Sequence, residues 1–294
     1  MALASVLRRI GKEVLLCSSG PFKRVEIKAY EDLFTAAPVA KEGDRVIILD
    51  CSSPERTGDL EPLIQGLPWA FIDHHDTSEY AQGAEPEAPI LVDPKAPSTT
   101  FLIVKLIEAL GLEPTREEAE LLFFGLCTDT GYFRHVDSGG AETFETAARL
   151  IRFGANPKAA YEAMRGGKSL DSRILMGHVL IRAESLFEGK LIYSWEEYEE
   201  TSRFGREGHD SDSLYQLFQS IGGVEAIFIV RQESPGYCVV GFRSRDWVDV
   251  GSIAKVFGGG GHKNAAGLKI AGTINTVKPL LIAEFEKAFK NHSA

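Results

Sequence analysis

Trp69-Ala70-Phe71-Ile72-Asp73-His74-His75-Asp76 is an apolar, strand-like run that ends abruptly in a carboxylate and two adjacent imidazoles. A segment built to be buried thus delivers charged and metal-seeking groups at its tip. Arg45-Val46-Ile47-Ile48-Leu49-Asp50 behaves the same way, with an aspartate at its C-terminal end. Buried strands of parallel sheets read as nearly continuous Val, Ile and Leu, and their ligands sit beyond the strand C-termini. The two runs therefore predict Asp50 and Asp73 close together at one sheet edge. Carboxylate oxygens mixed with imidazole suit Mg or Mn, whereas sulfur-rich sets favour zinc or iron clusters. A strand-ending Asp also serves as a helix N-cap, and a His is often a hydrogen-bonded surface residue, so both alternatives stay open for each residue alone.

The rest of the sequence sets the context. The length, 294 residues, accommodates two domains, and 44% hydrophobic with 25% charged residues fits a soluble globular protein. The longest apolar runs fall well short of the roughly 18 residues that span a bilayer. No leader with a small-residue cleavage site precedes them, so a cytoplasmic location and no membrane partner are expected. Cys17, Cys51, Cys127 and Cys238 lie far apart without metal-ligand spacing, which suggests reduced thiols. A net charge of −10 argues against binding long duplex nucleic acid, which depends on a basic face. Small or single-stranded anionic substrates remain compatible if metal ions neutralise them locally.

Strand and helix signals alternate through the first half. After a helix over Ala2 to Ile10, strands are expected at Glu13 to Cys17, Arg45 to Asp50, Trp69 to Asp73 and Ile90 to Val92. Ser98 is placed to cap a helix over Thr100 to Leu110, and Thr115 with Glu118 forms a capping-box pattern for Arg116 to Cys127. Helices over Ala141 to Phe153 and Lys158 to Arg165 complete a doubly wound α/β domain. Leu170 to Ala183 reads as a helix joining two domains. Beyond it, Ser185 to Phe187 and Leu191 to Trp195 flank a hairpin turn, Val224 to Arg231 and Tyr237 to Arg243 form a second strand pair, and three short helices finish a smaller mixed domain.

Gly258-Gly259-Gly260-Gly261-His262-Lys263-Asn264 reads as a loop whose backbone approaches an anion closely, with His262 donating to phosphate. A flexible turn is the alternative. Arg243-Ser244, ending a strand, offers further phosphate donors. Asp129, in Thr128-Asp129-Thr130-Gly131, is either a third acidic ligand or a helix-end residue. His209-Asp210-Ser211-Asp212 is read as a solvated loop capping the next helix rather than a substrate contact.

Assembled in order, Leu49-Asp50, Asp73-His74-His75, Asp93-Pro94 with Ser98-Thr99-Thr100, Thr128-Asp129-Thr130-Gly131, Arg243-Ser244 and Gly259-Gly260-Gly261-His262 resemble the DHH-type phosphoesterases, in particular the oligoribonuclease and pAp phosphatase (nanoRNase) branch. The terminal glycine-histidine segment resembles the DHH-associated substrate domain and not the C-terminal domain of manganese pyrophosphatases. The resemblance implies a phosphoesterase domain over 1–165, a linker helix over 166–184 and a substrate-binding domain over 185–294. It implies two Mn ions in the cleft between domains, and leaves open whether Mg or Co substitutes for Mn. Asp50 would bridge the ions, and His74 and Asp129 would complete the second. Asp73 would orient its neighbouring histidine, His75 would face the scissile phosphate, and activated water would attack phosphorus in line. Arg243, Ser244, Gly259, Gly260, Gly261, His262 and Asn264 would hold the terminal nucleotide. The expected substrates are short single-stranded RNA and 3'-phosphoadenosine 5'-phosphate (pAp), with linear or cyclic dinucleotides as an alternative, and a homodimer is a further expectation.

The family also carries an N-terminal strand and a His-x-x-x-Asp-x-Asp loop that supply the remaining ligands. Here Met1 stands where that loop should have ended, and His135, His178, His209 and His292 lie in no comparable motif. The expectation is an incomplete metal site and an open sheet edge in the chain as given. A late start at an internal methionine is preferred over a nucleotide-binding homologue that has lost catalysis, because Asp50, His74, His75, Asp129 and His262 persist.

Overall fold

The computed structural model describes residues 1–22, 24–51, 54–75, 90–204 and 210–292; Asp76 and His209, named above, lie outside them. The chain divides into two compact units, Met1–Gly167 and Lys168–Ala294.

The first unit holds a parallel sheet of β1 (Val46–Leu49), β2 (Trp69–Asp73) and β3 (Ile90–Val92), in that order. The β-branched residues of β1 suit a pleated, buried surface. The register sets Leu49 against Ile72 and Asp73 against Val92. The ladder continues past the strand ends, since Asp50 N–H donates to Ile72 O at 3.0 Å and Asp93 N–H donates to Asp73 O at 3.2 Å. Three acids, Asp50, Asp73 and Asp93, thereby end neighbouring strands at one edge.

Seven helices accompany this sheet among the described residues: α1 (Ala2–Arg9), α2 (Val25–Lys28), α3 (Glu61–Ile64), α4 (Thr99–Ala109), α5 (Arg116–Asp129), α6 (Ala141–Arg152) and α7 (Pro157–Arg165). Ser98 caps α4 by accepting from Phe101 N–H, and Thr115 and Glu118 form the expected capping box on α5. The core gathers Val6 of α1, Ile107 of α4, and Leu122, Phe123 and Leu126 of α5 against Ile72. Each such side chain, fully buried, contributes about 1.5–3 kcal/mol. The strand expected at Glu13 to Cys17 is absent, and the segment makes an isolated parallel bridge of Cys17 with Thr35. Its apolar run does not enter the core: Leu15 is 60% exposed.

The second unit is a six-stranded mixed sheet ordered β4-β5-β6-β7-β9-β8. Its strands are β4 (Glu184–Leu186), β5 (Leu191–Glu196), β6 (Ala226–Ser234), β7 (Tyr237–Ser244), β8 (Gly260–His262) and β9 (Ala265–Ala271). The β5–β6 pair is parallel and the others antiparallel. Helices α8 (Leu170–Ile181), α9 (Tyr198–Phe204), α10 (Ser211–Gln219), α11 (Val250–Val256) and α12 (Ile274–His292) complete it. One sheet face, with Phe228, Val240 and Phe242, packs against Leu281 and Phe285 of α12. Ile227 and Ile229, on the opposite face, pack against Val179 of α8 and Tyr215 and Phe218 of α10. The helix expected to join the domains, α8, lies wholly within this unit. The glycine segment expected as a loop is a β-hairpin, β8–β9, whose strand character glycine concealed by offering no alternating side chains. No helix among the described residues is long and apolar enough to cross a membrane.

Candidate active site and nucleotide-recognition surface

The edge formed by β1 and β2 places Asp50, Asp73, His74 and His75 so that one ligand atom from each lies within 4.8 Å of the others. Asp73 is fully buried. Its Oδ1 accepts from the backbone N–H of His74 at 2.7 Å, from that of His75 at 3.1 Å, and from His75 Nδ1 at 2.6 Å. An oxygen so engaged orients its neighbours, and the His75 contact leaves Nε2 as the outward ring nitrogen. His74 Nδ1 faces the Ala96 carbonyl at 3.3 Å, while its Nε2 lies 3.5 Å from Asp50 Oδ1. A carbonyl accepts only, so this contact is made by an Nδ1–H, and Nε2 is the ring nitrogen turned toward Asp50.

Asp50 itself adopts a left-handed backbone, φ 57°. That conformation costs most L-residues energy, but Asp tolerates it because its short polar side chain bonds locally. Its Oδ1 accepts from Thr99 Oγ1 at 2.7 Å. Asp129, at the end of α5, is absent from the tight four-residue cluster but is close enough to feel it. Burial raises its pKa, the facing Asp50 carboxylate raises it further, and His74 and His75 only partly offset them, leaving it at about 6. Two carboxylates that repel one another, with an imidazole nitrogen turned toward them, form a donor set suited to a divalent cation. The residues present therefore fit a metal ion. After Asp129 the chain makes three consecutive left-handed residues, Gly131 (57°), Tyr132 (58°) and Phe133 (68°), anchored by Tyr132 OH donating to Pro157 O at 2.8 Å. Such conformations collect at functional sites.

In the second unit, strand register divides the glycine run by role. Gly261 stands opposite Ala266 on the core side, and a Cβ there would lie 2.5 Å from the Ala266 Cα. A Cβ on Gly259 would lie 2.5 Å from the Gly267 carbonyl oxygen. These two glycines are required by packing. Gly260 has open space instead, and it aligns with Gly267 and Gly241 across β8, β9 and β7. The next row on the same face is His262, Ala265 and Arg243. Directly opposed residues share a sheet face. Arg243 and His262 thus flank a small alanine, about 10 Å apart from two strand spacings, beside a floor of Gly260 and Gly267, while Gly241 is covered by the Tyr215 hydroxyl.

The Arg243 guanidinium lies over the Tyr215 ring, 4.7 Å from its centroid, and 3.5 Å from Asp212 Oδ1. Ser244 and Asn264 differ from the expected direct phosphate contacts. The Ser244 hydroxyl is buried and donates to Lys263 O at 3.2 Å, and Asn264 Nδ2 donates to Arg245 O at 2.6 Å. Both fasten the β8–β9 turn to the end of β7. Sequence reading also passed over Glu225, whose buried carboxylate accepts the backbone N–H groups of Asp246, Trp247 and Val248 at 3.1, 2.8 and 2.9 Å and so fixes the chain leaving Arg243. A lone Glu before a strand carries no signal of such a role. Tyr215, beneath Arg243, was hidden for the same reason, reading only as an apolar position of a short helix.

A family profile described as the DHHA1 domain matches residues 189–291. The bifunctional oligoribonuclease and PAP phosphatase NrnA of Thermus thermophilus is 30% identical over 279 residues, 92% of this chain and 79% of that protein. The cyclic-di-AMP phosphodiesterase GdpP of Geobacillus thermodenitrificans is 27% identical over 263 residues, 84% of this chain and 37% of that longer protein. Among solved structures, an exopolyphosphatase-related protein from Bacteroides fragilis superposes with a TM-score of 0.80 at 22% identity, covering 99% of this chain and 86% of that one. The last comparison speaks to the fold alone.

Proposed function

Because this chain belongs to the DHH-family phosphoesterases, hydrolases of phosphodiester or phosphate bonds, we propose that it cleaves short 5'-phosphorylated oligoribonucleotides and removes the 3'-phosphate of pAp, with manganese as its ion. The observation that carries this reading is the convergence of Asp50, His74 and His75 within ligand distance at one strand edge. Asp50, His74 and Asp129 would hold the ion. When bound, a divalent cation there supplies Lewis acidity, lowering the pKa of water and offsetting phosphate charge.

The chain's own groups do the rest. Asp73 fixes the ring of His75, so that Nε2 can donate a hydrogen bond to a phosphoryl oxygen or pass a proton to the departing one. His74 Nε2 is directed by the Ala96 carbonyl. In the second unit, the glycine floor admits the flat face of a base or a phosphate to the backbone, and Arg243 and His262 supply donors on either side. Engagement of Ser244 and Asn264 with main-chain carbonyls keeps that surface in shape.

The test is manganese-dependent release of phosphate from pAp and of mononucleotide from a 5'-phosphorylated dinucleotide. We expect EDTA, His74→Ala and Asp129→Ala each to abolish turnover with the fold retained by circular dichroism. Unchanged rates in both variants would sink the proposal. The similarity to GdpP supports a second reading, in which linear or cyclic dinucleotides are the better substrates. Relative rates on pApA, cyclic di-AMP and pAp decide between them.

A further inference from the structure

The segment between β3 and the start of α4, residues 93–99, touches both Asp50 and His74. From its middle, the Ala96 carbonyl meets His74 Nδ1 at 3.3 Å. From its end, Thr99 Oγ1 donates to Asp50 Oδ1 at 2.7 Å. We infer that this loop is the positioning shell of the metal centre and that Thr99, through its hydroxyl, is the residue that sets the Asp50 carboxylate for the ion. The inference rests on the reading of Asp50 and His74 as metal ligands.

Three observations support it. First, the loop is rigidly placed on the strand edge that bears the histidines: Asp93 N–H donates to Asp73 O at 3.2 Å, Lys95 N–H to Asp93 Oδ1 at 2.9 Å, and Ala96 N–H to Asp93 O at 3.0 Å. Pro94 and Pro97 restrict it further. Secondly, Thr99 is only 4% exposed and is the first residue of α4, whose N-terminus is closed by the Ser98 cap. A buried β-branched side chain has few χ1 rotamers, so the position of Thr99 Oγ1 is restricted, and the Asp50 acceptor at 2.7 Å orients its hydrogen. Thirdly, Asp50 needs holding. Its left-handed backbone leaves the carboxylate just beyond the end of β1, outside the strand ladder that holds Val46–Leu49. A carboxylate accepts at about four lone-pair positions; Thr99 occupies one on Oδ1, the oxygen that lies 3.5 Å from His74 Nε2, and leaves the others for the ion. Outer partners of this kind orient ligands and typically change metal affinity by roughly 10–100-fold when removed.

The test uses the full chain and Mn²⁺ alone as probe, titrated by the electron paramagnetic resonance of the free ion, with thermal melting alongside. Thr99→Val keeps the shape and deletes the donor; Thr99→Ser keeps the donor and deletes the methyl. We expect Thr99→Val to bind Mn²⁺ roughly 10–100-fold more weakly, with turnover recovered as Mn²⁺ is raised, and Thr99→Ser to stay near the parent protein. Mn²⁺ affinity unchanged in Thr99→Val, or Thr99→Ser as impaired as Thr99→Val, would overturn the inference. Should Thr99→Val fail to fold, Thr99→Ala against Thr99→Ser makes the same comparison. Failure of the parent protein itself to take up Mn²⁺ would instead remove the metal-centre reading, and this inference with it.

Discussion

Asp129 is the acid whose behaviour depends most on its surroundings. Burial and then the Asp50 carboxylate push its pKa from 3.8 up to about 6 in the protein without metal. A raised carboxylate pKa means that the folded state holds a proton that the unfolded state has released between those values. The sign follows from linkage: stability of the metal-free protein falls as pH rises from about 4 to about 6, and the penalty is fully present above that window. A cation must displace the same proton. Metal affinity is therefore expected to climb with pH up to about 6 and then flatten, with proton release detectable by calorimetry at pH 5 in buffers of different ionisation enthalpy. Equal affinity and no proton release at pH 5 and pH 7.5 would contradict this account. The site acids were legible because Asp50 and Asp73 each end an apolar run, a pattern that buried parallel strands impose. Thr99 and the Ala96 carbonyl were not legible as partners, since a hydroxyl and a main-chain oxygen gain meaning only when the β3–α4 loop is folded beside the strand edge.

At the level of elements, the β8–β9 hairpin gives the sharpest contrast. Gly260 faces open space on the proposed recognition surface, while Gly261, at φ 146°, is pressed against Ala265 and Ala266. Gly260→Val is expected to melt near the parent protein yet to lose most affinity for AMP by calorimetry. Gly261→Ala is expected to destabilise by about 1–3 kcal/mol, readable in urea unfolding, because strain and overpacking act together. If both variants lost only stability, the glycine floor would have no part in recognition. Helix starts at Ser98 and Thr115 and the hairpin around Gly189 were readable because capping and turn chemistry are local. Strand β8 of the β8–β9 hairpin was not, since glycine erases the alternation on which strand reading depends. Glu13 to Cys17 misled in the opposite way. Its residues favour a strand, but a strand needs a neighbour with the right register, and here the chain finds only the bridge to Thr35.

Across the whole molecule, each compact unit has its own buried cluster, and the DHHA1 match falls entirely within the second. Residues 168–294 expressed alone are expected to fold cooperatively, checked by a single urea transition and dispersed amide resonances, because a unit with its own core is able to fold by itself. A molten fragment lacking dispersion would show that the first unit is needed to complete that core. The Arg182–Glu200–His178 cluster adds a pH signature. Burial would raise the Glu200 pKa, but hydrogen bonds from Arg182, the Glu197 backbone and His178 outweigh it and hold it at about 2. Its contribution is present above pH 4.5 and is lost as pH falls toward 2. The sheet of this unit ends on both sides in the three-residue strands β4 and β8. Margins that short give a neighbouring molecule too few backbone donors and acceptors for end-to-end pairing. Concentrated samples of the isolated unit should accordingly resist fibre formation, and any oligomer formed through this unit would have to be built through helices or side chains rather than by extension of its sheet.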